Sequence, residues 1–114
     1  MTIPKVLEIQ PLVLKKCMDA GEDICLVDVR EAWEHSLAAI PGSEHIPIGE
    51  LVDRVQELLY EENIVVYCHV GERSYRGAII LMESGFKNVH NLVGGIDGWS
   101  QVVDASVPRY RAGG

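Results

Sequence analysis

The sequence predicts an α/β domain: a mostly parallel β-sheet covered by helices on both faces. Short apolar, β-branched runs alternate with longer mixed segments along the chain, and that alternation builds strands joined by crossover helices. Two of the runs, Cys25-Leu26-Val27-Asp28-Val29 and Ile64-Val65-Val66-Tyr67, are apolar at nearly every position. Strands covered on both faces read that way, because neither side chain row meets water. The length of 114 residues suits one domain, 1–114, and is enough to bury a core without metal or disulfide staples.

The elements follow in order. Strands are expected at Val6–Ile9, Ile24–Val29, His45–Ile46, Ile64–Tyr67 and Val89–Leu92. Helices are expected between them. Gln10–Ala20 carries Leu12, Val13, Cys17 and Ala20 at helical spacing and ends at Gly21, a suitable cap. Glu31–Leu37 is short. Gly49–Tyr60 has Leu51, Val52, Val55, Leu58 and Leu59 on one face. Ser74–Ser84 runs into Gly85, and Gly95–Val103 is last. Residues 104–114 contain Pro108, Gly113 and Gly114 without periodicity and are expected to form an extended C-terminal tail.

Charge and cysteine usage exclude several classes. The formal net charge of −7 disfavours non-specific binding to nucleic acid or to an anionic membrane surface. The 3 cysteines, Cys17, Cys25 and Cys68, are an odd number without close pairing, which speaks for a reducing compartment rather than a disulfide framework. No apolar run approaches the roughly 20 residues of a membrane helix, and the first residues lack a signal-peptide pattern. A soluble cytoplasmic protein is expected. Cysteine and histidine show no Cys-x2-Cys or His-x3-His spacing, so no metal site is expected.

The chemistry points to Tyr67-Cys68-His69-Val70-Gly71-Glu72-Arg73-Ser74. Cys68 directly follows an apolar strand, and ligand sites in parallel sheets gather at the carboxyl ends of strands. Ser74 is a good N-cap for the next helix, so the residues between would bend into a tight loop over its N-terminus. Converging backbone N–H groups, the helix dipole and Arg73 would all favour a thiolate. That thiolate is a nucleophile. Gly71 supplies backbone freedom in the loop. Cys17 and Cys25 read as packing residues.

Several stretches together resemble the rhodanese-homology family. Cys68-x4-Arg73-Ser74 resembles its active-site loop, and Leu26-Val27-Asp28-Val29-Arg30-Glu31 its early Asp-Val-Arg motif. Ile40-Pro41-Gly42-Ser43-x-His45-Ile46-Pro47 and Leu92-Val93-Gly94-Gly95-Ile96-x-Gly98-Trp99 resemble two later motifs, in the family's order and spacing. The resemblance implies a rhodanese-like fold with a central five-stranded sheet. It implies a sulfurtransferase of the thiosulfate:cyanide type with Cys68 as the persulfide-carrying nucleophile and no cofactor. His69, Val70, Gly71, Glu72, Arg73 and Ser74 would bind the substrate, with loop backbone groups cradling the sulfur and Arg73 holding an anionic donor. Ser74 would fix the loop and cap the helix. The partners implied are a small sulfur-donor anion and a thiol or protein acceptor. The loop departs from the family pattern at His69 and Val70, and Glu72 sets a negative charge beside Arg73. A loop this weakly basic counts against efficient use of thiosulfate.

Other readings stay open. Asp28 and Arg30 are expected to support the site rather than to react. His69 reads as a loop residue or a proton relay, and Trp33 could line the mouth, whereas Trp99 fits a helix face packed on the core. A phosphatase or arsenate reductase of related fold would place its arginine one position later, where Ser74 stands. A relay or interaction module acting only with a partner protein is the non-enzymatic alternative. The stretch from Val103 to Tyr110 resembles the end of rhodanese domains fused to enzymes that activate sulfur carriers. The terminal Gly113-Gly114 matches the ending of ubiquitin-like sulfur carriers, but a flexible end explains it as well.

Overall fold

The computed structural model describes residues 5–111, so the Gly113-Gly114 ending lies outside the described residues. Five strands, β1 (Leu7–Ile9), β2 (Ile24–Asp28), β3 (Glu44–His45), β4 (Asn63–Tyr67) and β5 (Val89–Leu92), form one sheet in the order β1-β5-β4-β2-β3. Every neighbouring pair is parallel. Asp28 lies opposite Tyr67 and Val66 opposite Asn91, which brings the carboxyl ends of β2, β4 and β5 level with one another.

Side chains alternate across each strand, so the sheet feeds two cores. Cys25, Val27, Val29, Ile64 and Val66 face Leu51, Ala78 and Leu81. These come from α3 (Leu51–Arg54) and α4 (Glu72–Glu83). On the other face Leu26, Val65, Tyr67 and Leu92 meet Leu14, Ile96 and Trp99, which belong to α1 (Pro11–Asp19) and α5 (Gly95–Val102). A short α2 (Ala32–Leu37) follows β2, and Glu31 and Glu34 close a capping box at its start.

Two helical faces differ from expectation. In α1 the buried residues are Pro11 and Leu14, with Met18 partly covered, whereas Leu12 and Val13 are exposed. The helix is oriented by Pro11 at its first turn, where the missing N–H costs nothing, and the stripe at Pro11, Leu14 and Met18 faces α5. The segment after β3 is not one helix from Gly49 to Tyr60. It runs as a 3-10 turn (Ile48–Glu50), the single turn α3, and a second 3-10 turn (Val55–Glu57), and the backbone becomes extended at Leu58. Only Leu51 and Leu58 are fully taken into the core, while Val52 and Leu59 face solvent. Burying those two anchors and turning back toward β4 outweighs the local helical pattern.

Gly77 sits mid-way along α4 against the sheet. A Cβ there would lie 3.5 Å from Leu51 Cδ2, Val29 Cγ1 and Val66 Cγ1, which is ordinary contact. Gly77→Ala therefore fills space without a clash and removes the helical cost of glycine. It is expected to stabilise the fold by about 0.5–1 kcal/mol in urea denaturation, and a loss of stability would show that the helix already touches the sheet.

Candidate active site

Cys68 directly follows β4 and is only 1% exposed. Its Sγ accepts hydrogen bonds from Gly71 N at 3.1 Å and from Ser74 N at 3.3 Å, and the Ser74 Oγ lies 3.3 Å away. The start of α4 explains this convergence. The helix begins at Glu72 with Gly71 as its N-cap, not at Ser74, and Gly71 adopts φ 111°. That conformation suits glycine and folds the loop back over the helix end. Ser74 is then the third helical residue, with an N–H that has no intrahelical partner. The cysteine sulfur takes the place a capping side chain would fill, so Ser74 serves the cap as a donor rather than as its acceptor.

The loop is fastened from β5 and α5. The Ser74 hydroxyl lies 2.5 Å from Asn91 Oδ1, and Asn91 Nδ2 donates to Gly71 O at 3.2 Å. Ile96 N donates to Cys68 O at 2.9 Å and Asp97 N to His69 O at 3.0 Å. This double contact brings Gly95, with φ 57°, so close that a Cβ would lie 2.5 Å from the carbonyl oxygens of Cys68 and His69.

Two ion pairs, one buried and one partly exposed at its arginine, flank the loop. Arg30 and Asp28 are both fully buried, and Arg30 donates Nε to Oδ1 at 2.8 Å and Nη2 to Oδ2 at 2.6 Å. Burial alone would raise the Asp28 pKa, but hydrogen bonds from Arg30 and His35 outweigh it and hold the carboxyl below its usual range. The second pair joins the loop itself: Arg73 Nη1 and Nη2 grip the two oxygens of Glu34 at 2.6 and 2.8 Å. Glu34 is buried, which would raise its pKa, yet the bonds from Arg73 and Tyr110 bring it down to about 2.

Tyr110 connects the pairs. Its hydroxyl donates to Glu34 Oε2 at 2.7 Å and accepts from Arg30 Nη1 at 2.9 Å. Burial pushes this phenol up to about 12, so it stays protonated. The ring stacks on His69 at 4.3 Å and meets the edge of Trp33 at 5.9 Å. The stretch from Asp104 to Arg111 has no regular structure, but it is not free of the domain: Val107 is buried and its carbonyl accepts from the Ser100 hydroxyl at 2.6 Å.

The expected residues thus divide. Cys68, Gly71 and Ser74 converge on the sulfur, and Asp28 and Arg30 form one pair beneath the site. Arg73 is turned onto Glu34. Val70 and Glu72 face solvent, and the His69 ring packs on Tyr110 with its buried Nε2 unpaired among the described residues. Trp33 is half exposed beside Tyr110, whereas Trp99 is buried in the core. Cys25 is buried, its thiol pushed up to about 12 by burial, and Cys17 is partly exposed; all three cysteines are free. Among the described residues no three His, Cys, Asp or Glu side chains gather as a metal site, and no helix is long and apolar enough to cross a membrane.

A family model for the rhodanese-like domain matches residues 10–102. The chain belongs to the rhodanese-like family. A sulfurtransferase of Allochromatium vinosum is 34% identical over 94 residues, covering 82% of this chain and 88% of that protein. A Bacillus subtilis protein that bears a sulfur-carrier name is 40% identical over 93 residues, covering 82% of this chain, and the chain spans 50% of its length. The crystal structure of a Staphylococcus saprophyticus protein superposes with TM-score 0.80 at 27% identity, covering 91% of this chain and 100% of that one. The parallel five-stranded sheet is that of the family.

Within this rhodanese-like site, Glu34, Asn91 and Tyr110 are the residues that sequence reading passes over. Asn91 gave a signal, as an amide inside an apolar strand needs a buried partner. Glu34 gave a weaker one, three residues after Glu31 at a helix start. Tyr110 closes the stretch that resembles the end of fused rhodanese domains, a resemblance that assigned it no role at the loop.

Gly95→Ala combines a left-handed φ with a clash against backbone. It is expected to cost more than about 2 kcal/mol in urea unfolding, and an unchanged midpoint would show that α5 can retreat from the loop. Glu34 gives a pH test. Its folded pKa lies below the ordinary 4.5, so its contribution is complete above pH 4.5 and is lost as the pH falls toward 2. Glu34→Gln should flatten the fall of unfolding free energy across that window, and an unchanged slope would mean that the pair adds nothing.

Proposed function

We propose that this protein is a sulfurtransferase that carries sulfane sulfur as a persulfide on Cys68. The observation that carries the reading is the cysteine sulfur just after β4, accepting two backbone N–H bonds at the N-terminus of α4. Those donors stabilise negative charge on sulfur, first on a thiolate and then on a persulfide. The Cys68 thiolate attacks the outer sulfur of a donor, the donor's bond to that sulfur breaks, and the remainder leaves. With thiosulfate, sulfite leaves and Cys68 holds the persulfide. A thiol, a protein or, in a test tube, cyanide then takes the outer sulfur and returns the thiolate.

The site needs no cofactor for this exchange. A sulfur-carrier name among the relatives favours a protein acceptor, so a relay between proteins is the second form of the same chemistry. The loop does not favour a phosphatase: Arg73 stands five places after Cys68 and both its terminal nitrogens are held by Glu34.

Reduced protein incubated with excess thiosulfate or a low-molecular-weight persulfide, then freed of reagent, is expected to gain one sulfur atom by intact mass. The gain should be removed by cyanide and be absent from Cys68→Ser. Folded protein that gains no sulfur from any donor would end this reading and leave an interaction module.

A further inference from the structure

The charges around the loop do not favour a small dianion. Arg73 is the loop's only arginine or lysine, and its guanidinium fork is occupied by the buried Glu34. Tyr110 donates to the same carboxylate and holds it in place. The Gly71 and Ser74 N–H groups already serve the cysteine sulfur. A cleft of about 470 Å³ opens beside the loop, lined by Val70, Gly71, Tyr75 and Asn91 and carrying Glu8 and Glu72. Those two glutamates are its only charged lining residues, both exposed, in a chain of net charge −7. A second negative group near the sulfur would find carboxylates and a neutralised arginine. An ammonium or guanidinium would find two carboxylates that form no ion pair among the described residues, with Val70 and Tyr75 to cover its methylenes.

We propose that the donor is a persulfide bearing a positive charge close to its sulfane sulfur, and that Glu8 and Glu72 receive that charge while thiosulfate is disfavoured. This rests on the sulfur-transfer reading above. The step balances without an added oxidant: the Cys68 thiolate attacks the outer sulfur of R–S–SH, the donor S–S bond breaks, R–S⁻ leaves, and Cys68–S–SH forms. One thiol is oxidised to the persulfide as the other is released reduced. The charge is either that of a small amine or that of lysines beside a persulfidated cysteine in a protein.

The test measures second-order loading rates by intact mass for the wild type and for Glu8→Gln/Glu72→Gln. The donors are thiosulfate, cysteamine persulfide and a lysine-flanked cysteine-persulfide peptide. Both positions are exposed, and circular dichroism checks that the variant folds. Comparing the variant with the wild type for each donor removes differences in intrinsic donor reactivity. Thiosulfate loading is expected to rise about threefold to tenfold and loading from the cationic donors to fall about threefold, both effects shrinking in high salt. A larger fall for the peptide than for cysteamine persulfide would identify a protein donor, and the reverse a small one. Equal rate changes for thiosulfate and the cationic donors, or none, would overturn the proposal while leaving the Cys68 persulfide intact. Failure of every donor to load the wild type would instead remove the sulfurtransferase reading, and this inference with it.

Discussion

The Cys68 sulfur caps the N-terminus of α4, and the rest of the site is arranged around that contact. A helix start leaves backbone N–H groups without partners, and in a dry setting each must find an acceptor. Here Gly71 N and Ser74 N find sulfur. The contact requires the end of β4 and the first turn of α4 to approach within one side chain's reach. It therefore requires a loop that doubles back through the left-handed Gly71, and a neighbouring helix whose first residue, Gly95, has no Cβ to push that loop away. Asn91 completes the arrangement by taking the Ser74 hydroxyl and supporting the Gly71 carbonyl.

The second constraint is electrostatic. Two arginine–carboxylate pairs lie within a few residues of the loop, one fully buried and one with only its carboxylate buried, and such pairs bring little net stability unless every remaining polar atom is satisfied. Here they are. Arg30 also donates to the Ala38 carbonyl at 2.6 Å, and Asp28 also pairs with His35 at 2.8 Å. Tyr110 supplies the last partner to both pairs. Their effect lies in position more than in energy. They tie α2 to the loop and hold the Arg73 guanidinium on Glu34.

Much of this architecture was legible in the chain. The apolar runs around Val27 and Val66 announced doubly covered strands, because a parallel sheet leaves no polar face to write into the sequence. The capping glycines Gly21 and Gly85 were legible because a left-handed backbone selects for glycine. The faces of α1 and of the segment after β3 were not. Leu12, Val52 and Leu59 are as apolar as Leu14, Leu51 and Leu58, and only the position of the sheet decides which of them it covers.

The same division runs through the site. The sequence by itself determined the sheet, the placement of Cys68 at a strand end, and the family, since these depend on local apolar pattern and on ordered motifs. Tertiary structure alone decided that Glu34 takes the charge of Arg73 across 39 positions and that Tyr110 reaches the loop from a segment with no periodicity. An ion pair or an aromatic stack between distant residues leaves no periodic trace. Its partners are chosen by the fold that brings them into hydrogen-bonding or stacking contact, so they become visible only once the chain has closed.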